Sequence, residues 1–125
     1  MVRIVLASSS PRRRELLTRG GVRFTVIEPP ADGPVPPGIC ADLAVQLIAR
    51  QKAVAVAATQ APGSFVLSAD TMVVGASGPL GKPGTPDRAV AMLSELRGRR
   101  HTVLTGICVL VAHSDREALG LARSA

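Results

Sequence analysis

The chain has 125 residues, the size of one domain and enough for a buried core. Hydrophobic residues make up 46% of it, with two Phe and no Trp or Tyr, so we expect an aliphatic core. No apolar run approaches the roughly 20 residues that a membrane helix needs, and no N-terminal segment has the features of a signal peptide. These observations argue against a membrane protein and predict a soluble, cytoplasmic one.

The net charge of +6 raises the question of an anionic partner. The shortage of aromatic residues argues against nucleic acid, because proteins that bind single strands usually stack bases on Phe, Tyr or Trp. Small polyanionic ligands explain the charge at least as well. Of the 15 basic residues only Lys52 and Lys82 are lysine, a weak hint that these positions need a compact ammonium group.

The two cysteines, Cys40 and Cys108, lie far apart in the sequence. Their spacing matches no metal-binding or redox motif. We therefore expect both to be reduced, buried thiols.

Residues 2–14 carry the most informative pattern in the chain. The apolar run from Val2 to Ala7 predicts a strand, and three serines followed by Pro11 predict a helix with Ser10 as its N-cap. Arg12 and the two arginines after it then stand in the first turn, where cations face the positive end of the helix dipole. Backbone N–H groups, serine hydroxyls and guanidinium groups together are typical of a phosphate site. The alternative is a capped surface helix whose arginines point into water.

Strands alternate with helices along the rest of the chain, which predicts an α/β fold. Five prolines within residues 28–38 predict a loop, and apolar spacing predicts a long helix from Asp42 to Ala58 with Lys52 at the margin of its apolar stripe. Thr85-Pro86-Asp87 has the composition of a helix start. After His113 the pattern fades into a short tail, for which a frayed helix is expected. The other predicted elements are strands at 23–27, 63–74 and 100–112 and a turn at 77–79 that leads back through Leu80.

Asp70 is a carboxylate within an otherwise apolar strand. Alternation places it on the same face as Val66 and Ser68, with Thr71 pointing the other way. An ionised carboxylate is expensive to bury unless it is paired, so Asp70 either lines a cleft or meets a cation from Lys52 or Lys82. Such a group can take a proton from water or hold a divalent metal beside phosphate. The alternative is that the strand ends at Ala69 and Asp70 caps an exposed turn.

Five stretches in this order resemble the Maf family of nucleoside triphosphate pyrophosphatases. The resemblance implies an inosine-triphosphatase-like α/β fold, a mixed sheet with flanking helices. Because that family continues well past the end of this chain, residues 1–112 are expected to be the N-terminal portion of the family's domain, truncated at the C-terminus, and 113–125 an atypical tail. The matching stretches are LASSSPRRRELL (6–17), LIARQKA (47–53), SADT (68–71), LGKP (80–83) and MLSELRGRRHTVLTG (92–106).

The resemblance also implies roles for individual residues. Asp70 corresponds to the general base that activates water, while Lys52 and Lys82 correspond to lysines that hold the phosphates and the developing charge. Thr71 and Arg12 correspond to positions linked to base preference. The loop that binds the triphosphate corresponds to Ser8, Ser10, Arg12 and Arg13.

The implied reaction is hydrolysis between the α and β phosphates, giving a nucleoside monophosphate and pyrophosphate with a divalent metal such as Mg²⁺ or Mn²⁺. Thr71 after Asp70, and His101 in the GRRH stretch, resemble the dTTP/UTP branch of the family. Asp70 and Asp32 are candidate metal ligands. Family members usually carry an acid pair in the loop after the second strand, whereas here Asp32 is followed by Gly33.

The alternative function is a truncated, non-catalytic remnant that binds nucleotide or phosphate. Loss of strands from the family's sheet would leave an open edge and apolar surface. Self-association into a homodimer is therefore a further expectation.

Overall fold

A computed structural model describes residues 2–75, 78–80, 87, 90 and 101–124. Within these residues the chain forms a mixed sheet with two helices, which confirms the α/β prediction. The helix predicted from Thr85 and the loop that carries Lys82 lie for the most part outside the described residues. The elements are β1 (Ile4–Ala7), α1 (Pro11–Arg19), β2 (Thr25–Ile27), α2 (Ala41–Ala57), β3 (Phe65–Gly75), β4 (Gly78–Leu80), β5 (Thr102–Val111) and β6 (Glu117–Ser124).

The sheet has the strand order β2-β1-β3-β5-β6, and β4 pairs with the far end of β3. β1 is parallel to both β2 and β3, whereas β5 is antiparallel to β3 and to β6. Ala7 stands beside Ile27 on one side and Ser68 on the other. β1 and β2 therefore end together, while β3 continues past them through Asp70.

The core lies between α2 and one face of the sheet. Its packing is aliphatic, as the composition predicts, because the fully buried side chains are small and mostly apolar. Gly106 in β5 lies directly under α2, where an added Cβ would stand 2.4 Å from the carbonyl carbon of Val45. Only glycine allows the helix to come so close to the strand. The largest fully buried side chains are Val5, Val45, Val66, Ser68 and Cys108.

The prediction of a frayed helix after His113 is wrong, because residues 117–124 form strand β6. His113 adopts a left-handed conformation with φ 59°, and the turn that it opens leads the chain back along β5. Alanine, glutamate and arginine favour a helix locally, but the unpaired edge of β5 offers a complete ladder of hydrogen-bonding groups. Tertiary pairing therefore overrides the local preference.

The prediction of two buried thiols is half correct. Both cysteines are free, but Cys40 is exposed and only Cys108 is buried. Cys40 precedes α2 at the end of the proline-rich loop, where the chain runs along the surface. No helix in the described part of the chain is long and apolar enough to cross a membrane.

Candidate active site

Of the functional residues predicted from the sequence, those that the structure describes come together at the carboxyl ends of the parallel strands, whereas Lys82 lies outside the described residues. The parallel strands β1 and β2 both end there, and the chain leaves them into the serine turn and the proline-rich loop. α/β proteins bind ligands in the crevice outside the carboxyl ends of parallel strands. This edge is therefore the expected place for a ligand.

The serine turn is held by its own hydroxyl groups. The Oγ of Ser8 accepts the backbone N–H of Ser10 at 3.0 Å, and the Oγ of Ser10 accepts the N–H of Arg13 at 3.4 Å. Ser10 is the N-cap and Pro11 occupies the first turn, which confirms the predicted helix start. Each hydroxyl accepts a bond within the turn, so its own proton remains available to a ligand.

Arg13 connects the start of α1 to the sheet. Its Nη2 donates to the Oγ1 of Thr71 at 3.0 Å, and the Thr71 hydroxyl lies 3.2 Å from that of Thr105 on β5. Thr71 follows Asp70 directly, so this contact brings the arginine-rich turn next to the carboxylate. Sequence analysis did not predict Thr105, whose only signal is that it is a polar residue within an apolar strand.

Asp70 faces α2, as the predicted alternation requires, and meets Lys52. The Nζ of Lys52 lies 3.3 Å from the Oδ1 of Asp70 and 3.3 Å from the Oδ1 of Asp32. The side chains of Lys52 and Asp70 are 16% and 14% exposed, whereas that of Asp32 is 43% exposed. One ammonium group therefore lies between two carboxylates, at the boundary between core and solvent.

The helix position of Lys52 is fixed by the residues around it. Ala49 and Ala53 are fully buried against the sheet, and the buried hydroxyl of Ser68 donates to the backbone carbonyl of Ala49. Ser68 lies two residues before Asp70 on the same face of β3. The contact thus fixes the position of α2 along the axis of β3 and places the Lys52 ammonium group opposite the Asp70 carboxylate.

The pKa of Asp70 is raised above the ordinary aspartate value, with burial as the largest cause. The charge and hydrogen bond of Lys52 oppose this effect, the carboxylate of Asp32 adds to it, and the guanidinium of Arg13 lowers the pKa. A partly buried carboxylate with a raised pKa is a better proton acceptor than an ordinary surface aspartate. The environment of Asp70 therefore suits acid–base chemistry.

Gln51, which the sequence did not single out, holds the loop that carries Asp32. Its Oε1 accepts the N–H of Gly33 at 3.1 Å, and its Nε2 donates to the carbonyl of Pro34 at 2.8 Å. A Cβ on Gly33 would lie 3.0 Å from that Oε1, so the absence of a side chain there makes room for the amide. This clamp, the two hydrogen bonds of Gln51 to the loop, depends on the path of the proline-rich loop, which the sequence does not specify.

Two open clefts lie beside these residues. One, of about 360 Å³, is formed by the proline-rich loop together with Gln51 and Lys52. The other, of about 620 Å³, lies on the face of β3 opposite α2 and is bordered by α1. Its polar end carries Ser10, Arg12, Arg13 and Thr71, and its apolar wall includes Leu16, Leu17, Leu67, Val103 and Ile107.

The fold is similar to that of a solved nucleoside-triphosphatase, a dITP/XTP pyrophosphatase from Mycobacterium abscessus. The TM-score is 0.55 at 15% sequence identity, over 98% of this chain and 71% of that chain. At this identity the likeness establishes the fold alone, a mixed sheet with flanking helices.

The chain belongs to the family of Maf-like proteins, which it matches over residues 3–123, β6 included. It is 42% identical to a dTTP/UTP pyrophosphatase of Chlorobaculum parvum, over 98% of this chain and 62% of the relative. It is 45% identical to a dTTP/UTP pyrophosphatase of Moorella thermoacetica, over 100% of this chain and 64% of the relative. It is 44% identical to a dTTP/UTP pyrophosphatase of Geobacillus sp. (strain WCH70), over 88% of this chain and 59% of the relative. The chain thus spans about three fifths of the length of these relatives.

Proposed function

We propose that this protein is a nucleoside triphosphate pyrophosphatase of the dTTP/UTP type. Water is added across the bond between the α and β phosphates, and a nucleoside monophosphate and pyrophosphate leave. The observation that carries this proposal is the position of Lys52, 3.3 Å from both Asp70 and Asp32 at the edge where the serine turn begins. This arrangement supports a general base and a cation acting close to the start of α1, where an anion would bind.

Asp70 acts as the general base in this proposal. Its carboxylate takes a proton from the attacking water as the new P–O bond forms, and the bond to the pyrophosphate leaving group breaks. The raised pKa of Asp70 supports this role, since the carboxylate holds a proton more readily than a surface aspartate does. The proton then passes to solvent.

The triphosphate is bound at the serine turn and by the nearby cations. The hydroxyl protons of Ser8 and Ser10, the backbone N–H of Arg12, and the guanidinium groups of Arg12 and Arg13 can all donate to phosphate oxygens. Lys52 adds a positive charge beside the reacting phosphate. A similar role for Lys82 rests on the family resemblance alone, because that residue lies outside the described ones.

The base of the nucleotide occupies the larger cleft. Its apolar wall can cover the face of a pyrimidine, and Thr71 and Arg12 stand at the polar end. The names of the relatives, dTTP/UTP pyrophosphatases, support pyrimidine nucleotides as the substrate class. The cytoplasmic location expected from the sequence stays a prediction.

A divalent metal fits beside these residues. Asp32 and Asp70 direct carboxylate oxygens at the same Lys52 ammonium group, and Mg²⁺ or Mn²⁺ is commonly held by one or two carboxylates together with substrate phosphates. Among the described residues no group of three or more His, Cys, Asp or Glu side chains could hold a metal. Phosphate oxygens and water would therefore complete its coordination. When bound, the metal neutralises charge on the phosphates.

Pyrophosphate release from dTTP and UTP tests the proposal. We expect release that depends on Mg²⁺ or Mn²⁺, and a loss of about 10²–10⁴-fold in Asp70→Asn with nucleotide binding retained. Asp115→Asn, which alters an exposed aspartate in the β5–β6 turn, is the matched control and should keep full activity. Equal rates in both variants, or no release from any triphosphate, would refute the proposed activity.

Binding without turnover would instead support the alternative, a non-catalytic nucleotide-binding protein. That function requires the same arginine-rich turn, so Arg12→Ala combined with Arg13→Ala should abolish binding. Unchanged affinity in the double variant would exclude this alternative.

A further inference from the structure

Lys52 is bound to both of the carboxylates that are candidates to hold a divalent metal. Its Nζ lies 3.3 Å from the Oδ1 of Asp32 and 3.3 Å from the Oδ1 of Asp70. Asp32 belongs to the proline-rich loop and Asp70 to β3, so this one ammonium group connects the loop to the sheet. A second cation that binds both carboxylates must therefore compete with Lys52 for the same two groups.

The charges of this cluster, Lys52 with Asp32 and Asp70, favour a divalent cation over the ammonium group. Two ionised carboxylates and one ammonium group leave one negative charge, whereas two carboxylates and one Mg²⁺ are neutral. Mg²⁺ also approaches oxygen ligands to about 2.0–2.1 Å. Each contact of the ammonium group is 3.3 Å long. The metal therefore has both the larger charge and the closer approach.

The ammonium group and the metal repel each other if both stay at the carboxylates. Like charges at such short range repel strongly in partly buried surroundings, where the effective dielectric constant lies far below that of water. The side chains of Lys52 and Asp70 are both largely buried, so solvent screens this repulsion weakly. Binding of the metal should therefore drive the ammonium group away from Asp70.

Lys52 can change its position without any movement of α2. Ala49 and Ala53 are fully buried and hold the helix backbone against the sheet on both sides of Lys52. The ammonium group of a lysine stands on a flexible chain of four carbons, whereas the guanidinium group of an arginine is a rigid planar fork. Lys52 also borders the cleft of about 360 Å³ beside the proline-rich loop. A rotation of the side chain alone is therefore enough to move the charge.

A bound triphosphate offers the released ammonium group its next partner. The serine turn begins directly after Ala7, which pairs with Ser68, two residues before Asp70 on β3. An ammonium group that is neutralised by two carboxylates attracts phosphate weakly, whereas a released one acts with its full charge. Carboxylates that hold a metal also repel the phosphates less. Metal binding would thus remove negative charge from the site and make a positive charge available to the substrate.

We propose that Lys52 exchanges partners when the ligands bind. It holds Asp32 and Asp70 together until a divalent cation takes the two carboxylates, and it then binds the triphosphate. The inference rests on the proposed pyrophosphatase function, since the metal and the triphosphate are those of that reaction. Its distinct content is that the metal competes with Lys52 for the carboxylates and cooperates with the triphosphate through Lys52.

Binding of Mn²⁺ in the absence of nucleotide tests the competition, with the free ion measured by electron paramagnetic resonance at neutral pH. Lys52→Met removes the competing charge, so the dissociation constant for Mn²⁺ should fall at least about fivefold, the lower end of the usual range of coupling between two sites. Arg50→Met is the matched control. It removes one positive charge from the same helix, but from a residue that pairs with Glu117, and it should bind Mn²⁺ like the unmodified chain.

Asp32→Asn and Asp70→Asn separate this inference from the proposed metal site. Both variants should bind Mn²⁺ more weakly than the unmodified chain. If they do, but Lys52→Met binds Mn²⁺ no more tightly than Arg50→Met, the metal site stands and the exchange is overturned. If neither asparagine variant changes Mn²⁺ binding, the metal site and the exchange are both wrong, while pyrophosphate release still decides the proposed activity.

The analogue α,β-methylene-UTP, in which carbon replaces the oxygen of the bond to be cleaved, tests the second half of the exchange. Its affinity is measured by isothermal titration calorimetry with and without Mn²⁺. Without metal, Lys52 is held by the carboxylates and contributes less to phosphate binding. Lys52→Met should therefore lose at least about fivefold more affinity when Mn²⁺ is present than when it is absent. An equal loss in both conditions would overturn the proposal.

Chemical labelling follows Lys52 in the unmodified chain, so its result does not depend on whether a variant folds. An acetylating reagent modifies accessible amino groups, and mass spectrometry distinguishes the peptides of Lys52 and Lys82, the two lysines of the chain. Mg²⁺ should speed the labelling of Lys52 severalfold, because it releases the group from its ion pairs. Addition of α,β-methylene-UTP together with Mg²⁺ should slow it again. Labelling of Lys52 that Mg²⁺ leaves unchanged would overturn the proposal.

Discussion

Replacing Gly106 by alanine tests how closely α2 must approach the sheet. The added Cβ would lie 2.4 Å from both the carbonyl carbon and the carbonyl oxygen of Val45, and 2.6 Å from the backbone N of Gln46. Real Cβ contacts rarely fall below 3.4 Å, so the helix must move outward by about 1 Å. The atoms in the way are helix backbone, so no side chain can turn aside to relieve the clash.

The expected loss of unfolding free energy is about 1–3 kcal/mol, the usual range for overpacking a core. It is offset in part by the lower entropy of the unfolded alanine chain, about 0.4–1 kcal/mol. Gly106 stands opposite Asp70 in the ladder, so the same displacement lengthens the 3.3 Å contact between Asp70 and the helix residue Lys52. Stability and the geometry of the site should therefore suffer together.

Urea unfolding followed by circular dichroism measures the effect. Gly120→Ala is the matched control, because it lies in the neighbouring strand and a Cβ there makes one ordinary contact at 3.9 Å. We expect this control to be as stable as the unmodified chain or slightly more stable. If Gly106→Ala loses no more stability than Gly120→Ala, the argument that α2 needs a glycine beneath it is wrong.

Three further variants test the site. Gln51→Leu removes both hydrogen bonds to the loop that carries Asp32, so the metal concentration for half-maximal pyrophosphate release should rise severalfold. An unchanged concentration would mean that the loop keeps its position without these hydrogen bonds. Lys52→Met removes a charge that favours ionised Asp70, so the pKa of Asp70 should rise and the acid limb of the kcat/KM profile should move to higher pH, whereas Lys52→Arg should leave that limb near its original position. Asp70→Asn should unfold at higher urea concentration than the unmodified chain at neutral pH, because folding raises the pKa of Asp70 and so disfavours its ionised form. This gain in stability should disappear below about pH 3.8, where the carboxyl group is protonated in both the folded and the unfolded chain. A gain that persists in acid would contradict the reasoning.

Features set by neighbouring residues could be predicted from the sequence. The cap at Ser10 and proline in the first turn are local chemistry, and the structure confirms both. Alternation along β3 correctly separates Asp70 from Thr71, because the two-residue period of a strand leaves no other arrangement. Whether Lys52 meets Asp70 could not be decided from the sequence, because the contact depends on the packing of α2 on β3.

Features that depend on distant parts of the chain could not be predicted. β6 has a composition that suits a helix, and only the free edge of β5 makes it a strand. The clamp by Gln51 depends on how the proline-rich loop returns to α2, and the contact of Arg13 with Thr71 joins residues 58 positions apart. Such contacts leave no periodic signal in the sequence.

Helix α1 buries none of its side chains, although it begins at the proposed phosphate site. The serine cap and the contact of Arg13 with Thr71 hold its first turn in place. The rest of the helix contributes no buried side chain that would anchor it to the sheet. Segments with few buried contacts open at a small fraction of the global unfolding free energy. The amide protons of this helix should therefore exchange with deuterium long before those of α2, and a bound polyphosphate should slow that exchange. Part of the binding free energy would then be spent on ordering the helix, so affinity should fall as temperature rises.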